Sequence, residues 1–277
     1  MTGNRLVVIF TVVIFLAPAV FAEETVRISG TGGAIGGMKL LGQAFERRNP
    51  GVKVDVLPSL GSTGGINAVK AGKLDLAVSA RPLREDEKTS GLLEEPYAKA
   101  PFIFATSSKS RAEGLRLSEI QDIYAGKITT WPYGGRIHIV MRPASDAYTH
   151  FLEELSPGMK DALASAKNVP GLILGITDQD AAVQIEKIPN SFGVTSYTLV
   201  VSENRKIKPL SVDGISPVGK NGANEKYPYS MTFYLVYMKG RNTRPVSDFI
   251  DYTGSKEGER ILRKAGHITI GKAKGKP

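Results

Sequence analysis

Apolar and polar residues follow two different periods along the first third of the chain. Residues 52–56 alternate valine with charged side chains, which predicts a half-buried strand. Apolar residues recur at helical spacing over 35–48, and an Asn-Pro-Gly stop follows at once. A glycine-rich loop at 61–65 leads into a second short helix, and 74–83 is an apolar strand that runs into a polar turn. Strands that alternate with helices predict an α/β fold with a parallel, doubly wound sheet.

The same alternation continues to the end of the chain. Strands are predicted at 100–107, 136–141, 192–197 and 229–238, and helices at 117–131, 148–155, 178–188 and 244–265. Asp178 is predicted to be the N-cap of its helix, since aspartate is a favoured capping residue. The stretch 244–265 is predicted to be a single closing amphipathic helix.

The N-terminus has the features of an export signal. Arg5 precedes an apolar run over 6–16, and small residues lead up to Ala22. This pattern predicts a secretory signal peptide over residues 1–22, cleaved after Ala22. A membrane anchor is the weaker alternative, because the run is shorter than the about 20 residues that a span needs and Pro18 interrupts it.

Composition limits which cellular compartment and which kinds of partner we expect. The chain has no cysteine, so it has no disulfide and carries no lipid on an N-terminal cysteine. We therefore expect export into a bacterial periplasm, and not a lipoprotein. The formal charge of +9 comes from 36 basic and 27 acidic residues that are scattered along 277 positions. Scattered charge on an exported chain predicts no nucleic-acid partner, and it favours attraction of anions instead.

No motif points to catalysis, to a metal or to a cofactor. The dinucleotide fingerprint fails, because Ile35 stands where a glycine is required, and the phosphate-loop pattern fails at Leu74. The three histidines, at 138, 150 and 267, have neither triad nor metal-ligand spacing. The sequence therefore predicts a protein that is not an enzyme and needs no cofactor.

Two turns rich in glycine, serine and threonine stand out instead. They lie at 30–33 and 61–65, and each leads from a strand into a helix. Open N–H groups at a helix N-terminus form an anion site, and glycine lets the anion approach the backbone. The alternative is that both are ordinary tight turns between a strand and a helix.

Several phrases resemble those of the periplasmic phosphate-binding-protein-like solute receptors of ABC importers. The phrases, in the order typical of the family, are ISGTGG, AFERRNPGVKVDV, GSTGGINAVKAGKLDLAVSARPL, LSEIQDIYAGKITTW, AVQIEKIPNSFGVTSY and YPYSMTFYLVY. The resemblance implies a type II periplasmic binding protein, with two lobes joined by two chain crossings that close around the ligand. The implied first lobe comprises 23–105 and 228–277, and the second comprises 106–227.

The resemblance also implies a set of ligand-binding residues from four turns of the chain. They are Thr31, Gly32 and Gly33 in the first turn, Ser62 in the second, Ser79 and Arg81 in the third, and Arg142 and Asp146 in the fourth. Arg142 corresponds to the anion-binding arginine of the family. Its alternative role is a surface arginine that pairs with a carboxylate.

Some positions depart from the family pattern. Asp146, Ala147 and Tyr148 stand where the family has serine, glycine and threonine, and Ala80 stands where phosphate receptors place an aspartate. An aspartate that faces a dianion repels it, unless it accepts a proton from the ligand or turns away.

The function implied is capture of a small inorganic oxyanion, most simply phosphate, for the membrane subunits of an ABC importer. We expect a monomer that binds its ligand without chemistry. The alternatives are another oxyanion or a small carboxylate on the same scaffold, or a receptor that signals to a membrane partner. An exported hydrolase is a further class, and the lack of a nucleophile–base pair argues against it.

Overall fold

Two strand–helix units open the chain, as the alternating pattern predicted. The computed structural model describes residues 23–271, and the predicted signal peptide lies outside them. The first elements are β1 (Glu24–Gly30), α1 (Gly32–Arg48), β2 (Val52–Val56), α2 (Gly61–Lys70), β3 (Leu76–Ser79), α3 (Glu85–Thr89) and β4 (Leu92–Ser107). The helix α1 begins at Gly32, three residues before the predicted start at Ile35, because its glycines are packed against other elements that override their low helix propensity.

The middle of the chain forms the second group of elements. These are β5 (Gly114–Leu115), α4 (Leu117–Tyr124), β6 (His138–Met141), α5 (Ala147–Glu153), α6 (Met159–Ala166), β7 (Ile173–Leu174), α7 (Asp178–Lys187), β8 (Ser191–Ser196), α8 (Tyr197–Ser202), β9 (Ile207–Pro209), β10 (Ser211–Val212), β11 (Val218–Gly219) and β12 (Gly222–Ala223). The pattern had predicted neither α6 nor α8.

The C-terminal elements return to the first group. They are β13 (Ser230–Met238), α9 (Arg244–Thr253), α10 (Lys256–Lys264) and β14 (Ile268–Thr269). The prediction of one helix over 244–265 was wrong. The chain breaks at Gly254, and Ser255 starts α10 by accepting the Gly258 N–H at 3.1 Å.

One long strand divides the sheet into two lobes. The strand order is β2-β1-β3-β13-β4-β8-β6-β7, with β14 and β9 also paired to β4. Residues 92–101 of β4 pair with β13, and residues 102–105 pair with β8. We call the β2-to-β13 side with its helices the first lobe, and the β8-to-β7 side the second lobe.

The sheet is mixed, so the prediction of a parallel sheet holds for only part of it. β1 runs parallel to β2 and β3, and β6 runs parallel to β7 and β8. β13, on which the chain returns to the first lobe, is antiparallel to both β3 and β4. The carboxyl ends of β1 and β3 in the first lobe, and of β6 in the second, lead into the turns predicted to bind the anion.

The core fills both lobes with aromatic and aliphatic side chains. Phe102, at the change of partner in β4, packs against Phe104, Tyr148 and Phe151 with ring centroids 4.8–5.7 Å apart. This cluster fastens α5 to the central strand, so the turn before α5 is held rigidly. Within residues 23–271, no helix is both long and apolar enough to cross a membrane.

His267 lies in the core of the first lobe and makes the stability of the fold depend on pH. The ring is 2% exposed and faces Tyr97 and Phe233. Burial lowers the pKa of His267 to about 4. The folded protein therefore holds the neutral ring, while an unfolded chain takes up a proton near pH 6.5.

We expect this histidine to destabilise the protein in mild acid. Because the folded-state pKa is the lower one, stability is lost as pH falls from about 6.5 towards 4. Between pH 7 and pH 5 the loss should be about 2 kcal/mol. Urea unfolding at both pH values should show this loss in the wild type and not in His267→Gln. His150→Gln, whose side chain is 50% exposed, is the control. An equal loss in His267→Gln would contradict the prediction.

Candidate functional site

Two of the predicted site residues, Thr31 and Arg142, lie where the two lobes meet. Gly30 ends β1, and α1 starts immediately after Thr31, so the first turn lies at the N-terminus of a long helix. Arg142 follows the last residue of β6 in the second lobe. Thr31 and Arg142 are 2% and 5% exposed. The fold therefore places these two predicted residues in the interior, on opposite sides of the lobe junction.

Arg142 is the buried cation of this junction. Its Nη1 donates to the Gly175 carbonyl at 2.7 Å, and its Nη2 donates to Asp146 Oδ2 at 2.9 Å. Asp178 Oδ1 lies 3.4 Å from the same Nη2. The surface role that was the alternative for Arg142 is wrong, although the residue does pair with carboxylates.

Asp178 occupies the first turn. Its Oδ2 accepts the Gly33 N–H at 3.2 Å and the Thr31 hydroxyl at 3.3 Å. The donors that the sequence assigned to an external anion therefore point at a carboxylate of the same chain. Burial raises the pKa of Asp178, although the positive charge of Arg142 acts in the opposite direction.

Asp178 was missed as a site residue because it had been predicted to be a cap. The prediction was wrong: Thr177 is the N-cap of α7, and its hydroxyl accepts the Asp180 N–H at 3.0 Å. Asp180 in turn accepts the Thr177 N–H, which completes a capping box. The Thr-x-x-Asp spacing was visible in the sequence. It leaves Asp178 at the first helical position, with its side chain free to reach another element.

The fourth turn keeps its aspartate beside the arginine. Asp146 caps α5, since its Oδ1 accepts the Tyr148 N–H at 3.0 Å while its Oδ2 pairs with Arg142. Tyr148 is 2% exposed and reaches the first lobe: a Cβ added to Gly33 would lie 2.4 Å from its hydroxyl oxygen. Burial raises the pKa of Tyr148, so its hydroxyl keeps its proton. Tyr148 thus fills space beside the first turn where the family has a threonine.

The second and third turns contact each other in the first lobe. Ser62 Oγ accepts the Ala80 N–H at 2.9 Å, and Ser79 Oγ donates to the Arg81 carbonyl at 2.6 Å. The Arg81 guanidinium makes two 2.7 Å bonds to Glu87 and a 3.3 Å bond to Thr63. The Arg81 guanidinium is therefore paired with Glu87, and the role of Arg81 in ligand binding stays a prediction.

A cleft of about 240 Å³ lies between the lobes beside Arg142. Its first-lobe wall is residues 59–64, at the N-terminus of α2, and its second-lobe wall is residues 142–143 and 145–147 together with Ile176 and Thr177. Among the predicted ligand residues, Ser62, Arg142 and Asp146 line this cleft. The first turn does not line it, and the donors of that turn are bonded to Asp178. Leu60 and Ile176, 53% and 62% exposed, face the cleft from the two lobes.

The arrangement is suited to hold a small anion. The first N–H groups of α2 have no acceptor inside their own helix, and the helix dipole adds partial positive charge there. Arg142 lines the opposite wall, where its positive charge is paired with Asp146 and Asp178. Two interlobe walls with donors on both sides define a clamp for a small polar ligand.

Known proteins share this architecture. The family model of a PBP superfamily domain matches residues 18–257, and the chain belongs to this superfamily. The phosphate-binding protein PstS of Bacillus subtilis is 25% identical over 260 residues, which cover 90% of this chain and 82% of that protein.

Solved structures agree with this assignment. A Clostridium perfringens protein, assigned as a phosphate ABC transporter substrate-binding protein and solved with bound phosphate, aligns with a TM-score of 0.75 and 25% identity. The alignment covers 89% of this chain and all of that one. A phosphate-binding protein from Stenotrophomonas maltophilia aligns with a TM-score of 0.69 over 91% of this chain and 92% of its own, at 16% identity, which shows the shared fold alone.

Proposed function

We propose that this protein is a periplasmic solute-binding protein that captures a small oxyanion, phosphate first among them, for an ABC importer. The observation that carries the proposal is the interlobe cleft, which the buried residue Arg142 lines from one side and the N-terminus of α2 lines from the other. Relatives of the same superfamily that bind phosphate support the choice of anion.

In this proposal the protein binds and releases its ligand without chemistry. Amide N–H groups at the start of α2, the Ser62 hydroxyl and Arg142 replace the water around the anion. The Ser62 oxygen accepts from Ala80, which leaves its own proton free for a ligand. The lobes, which we propose to be 23–105 with 228–277 and 106–227, close over the anion and open to the membrane subunits. The change of partner within β4 and the return through β13 supply the two crossings such a hinge needs. We propose that the protein works as an exported monomer without a lipid anchor.

Calorimetric titration of the purified, exhaustively dialysed protein tests the proposal. The panel comprises phosphate, sulfate, nitrate, acetate and citrate at one pH and ionic strength. We expect saturable binding of one phosphate per chain, and weaker binding of the carboxylates, because a helix N-terminus and one arginine suit a compact anion. Preference for a carboxylate would reassign the ligand. Absence of binding across the panel would contradict capture of a small anion.

A further inference from the structure

Asp178 already makes the contacts that an anion would make at the N-terminus of α1. One oxygen receives the Gly33 N–H and the Thr31 hydroxyl, and the other lies 3.4 Å from the Arg142 guanidinium. A backbone amide, a hydroxyl and an arginine are the donors that hold bound oxyanions in proteins. The Asp178 side chain is 5% exposed, so water does not compete for these donors.

These contacts join the two lobes. Thr31 and Gly33 belong to the first lobe, and Asp178 opens α7 in the second. Two further bonds cross the same junction: Gln179 Nε2 donates to the Gly32 carbonyl at 3.3 Å, and the Thr198 hydroxyl donates to the Gly33 carbonyl at 2.7 Å. The first turn is therefore closed by groups of the protein itself.

Gly32 is what allows this approach. A Cβ at position 32 would lie 2.6 Å from Asp178 Cβ and 2.7 Å from Oδ2. The glycine that the sequence assigned to an approaching anion is thus required by an approaching aspartate. No room for a second anion remains at the Gly33 N–H while Asp178 is there.

The charges at the junction lead to the same conclusion. Arg142 is in contact with two carboxylates, Asp146 and Asp178. With both ionised, the cluster already carries an excess of negative charge. An incoming dianion would add repulsion at short range inside a poorly hydrated site, where charges interact strongly.

We propose that Asp178 is an internal competitor of the ligand, a tethered carboxylate that holds the two lobes together at the first turn and must leave that turn before an oxyanion binds there. The inference rests on the proposed function, because it takes the ligand to be an oxyanion. In the ligand-free protein, Asp178 keeps the lobes together through Thr31 and Gly33. In the complex, the oxyanion takes over these donors and the Arg142 contact.

The variant Asp178→Asn tests this role with little change in shape. Asparagine keeps the size of the side chain but offers the Gly33 N–H only a neutral and weaker acceptor. Arg142 keeps Asp146 as its counter-charge at 2.9 Å, so the fold should survive. We expect this variant to bind phosphate and sulfate at least about tenfold more tightly than the wild type, equivalent to about 1.4 kcal/mol. Asp161→Asn, an exposed change of equal charge in α6, is the matched control and should bind as the wild type does. Asp178→Ser is the second variant if the asparagine protein folds poorly.

Small-angle scattering of the ligand-free proteins gives a second measurement that needs no ligand. We expect a larger radius of gyration for Asp178→Asn and Asp178→Ser than for the wild type and Asp161→Asn. Unchanged or weaker anion binding in both Asp178 variants would overturn the inference, since Asp178 would then be neutral to the ligand or a contact for it. If none of the proteins binds an anion, the proposed function fails by itself. Small-angle scattering then decides the role of Asp178. A larger radius of gyration in the Asp178 variants would support a carboxylate that holds the lobes together, and an unchanged radius would overturn the inference.

Discussion

Replacing Gly30 by alanine should lower the free energy of unfolding by more than about 4 kcal/mol, which is exceptional for one added methyl group. Gly30 has φ +143°, and a Cβ on it would lie 1.9 Å from the Val78 carbonyl oxygen. That oxygen also accepts the Thr31 N–H at 2.8 Å. The methyl group would therefore have to separate β1 from β3 at the start of the first turn, where both lobes depend on the geometry.

A matched control separates the clash from the strained backbone conformation. Gly51 has φ +94° and nothing within 4 Å of an added Cβ. Gly51→Ala should therefore cost only the about 1–2 kcal/mol of a left-handed conformation in an L-residue. Urea unfolding of the two variants gives the difference, with the soluble yield as the measure if Gly30→Ala does not fold. Stabilities within about 1 kcal/mol of each other would refute the clash as the dominant cost.

Gly30, Gly32 and Gly33 show how much of the first turn the sequence could predict. Their cluster marked a place where something approaches the backbone, and that prediction was right in kind. The approaching groups are the Val78 carbonyl, the Asp178 side chain and the Tyr148 hydroxyl. Each contact joins residues far apart in the chain, as the 145 positions between Gly33 and Asp178 illustrate. The local sequence pattern holds no information on contacts between such distant residues. The sequence could therefore indicate that some group approaches these glycines, but it could not identify the group.

The sequence predicted whether a segment is a helix or a strand where the apolar residues kept one period. It did not predict where each helix or strand begins and ends. The alternation at 52–56 and the apolar face of α1 gave the correct strand and helix. The break inside 244–265 was hidden, because the amphipathic period runs on through it. A Cβ on Gly258 would lie 2.2 Å from the Tyr252 carbonyl oxygen, so the two helices are closely packed there. Resemblance to a family supplied the two-lobe fold and Arg142, and it did not point to Asp178.

Removing the charge of Arg142 should weaken phosphate binding by about 10- to 150-fold, the value of one charge-assisted bond at about 1.5–3 kcal/mol. Arg142→Met keeps much of the side-chain volume, and calorimetry against the wild type measures the change. Arg111→Met, at an exposed position, controls for the loss of one positive charge. Unchanged affinity in folded Arg142→Met would show that the guanidinium serves only the two carboxylates.

Arg142→Met should also lower the free energy of unfolding, because Arg142 is a partner of Asp178. Without Arg142, the Asp146 and Asp178 carboxylates lose their common partner, and breaking a buried pair from one side typically costs about 3–5 kcal/mol. The double variant Arg142→Met/Asp178→Asn removes one of the two uncompensated charges, so it should recover part of that loss. Urea unfolding of the two single variants and the double variant, at a pH where the carboxylates are ionised, measures the coupling. Additive losses would mean that Arg142 and Asp178 do not interact in solution. We expect the double variant to be more stable than Arg142→Met. In Arg142→Met the buried Asp178 carboxylate has lost the arginine that compensates its charge, and the double variant removes that charge.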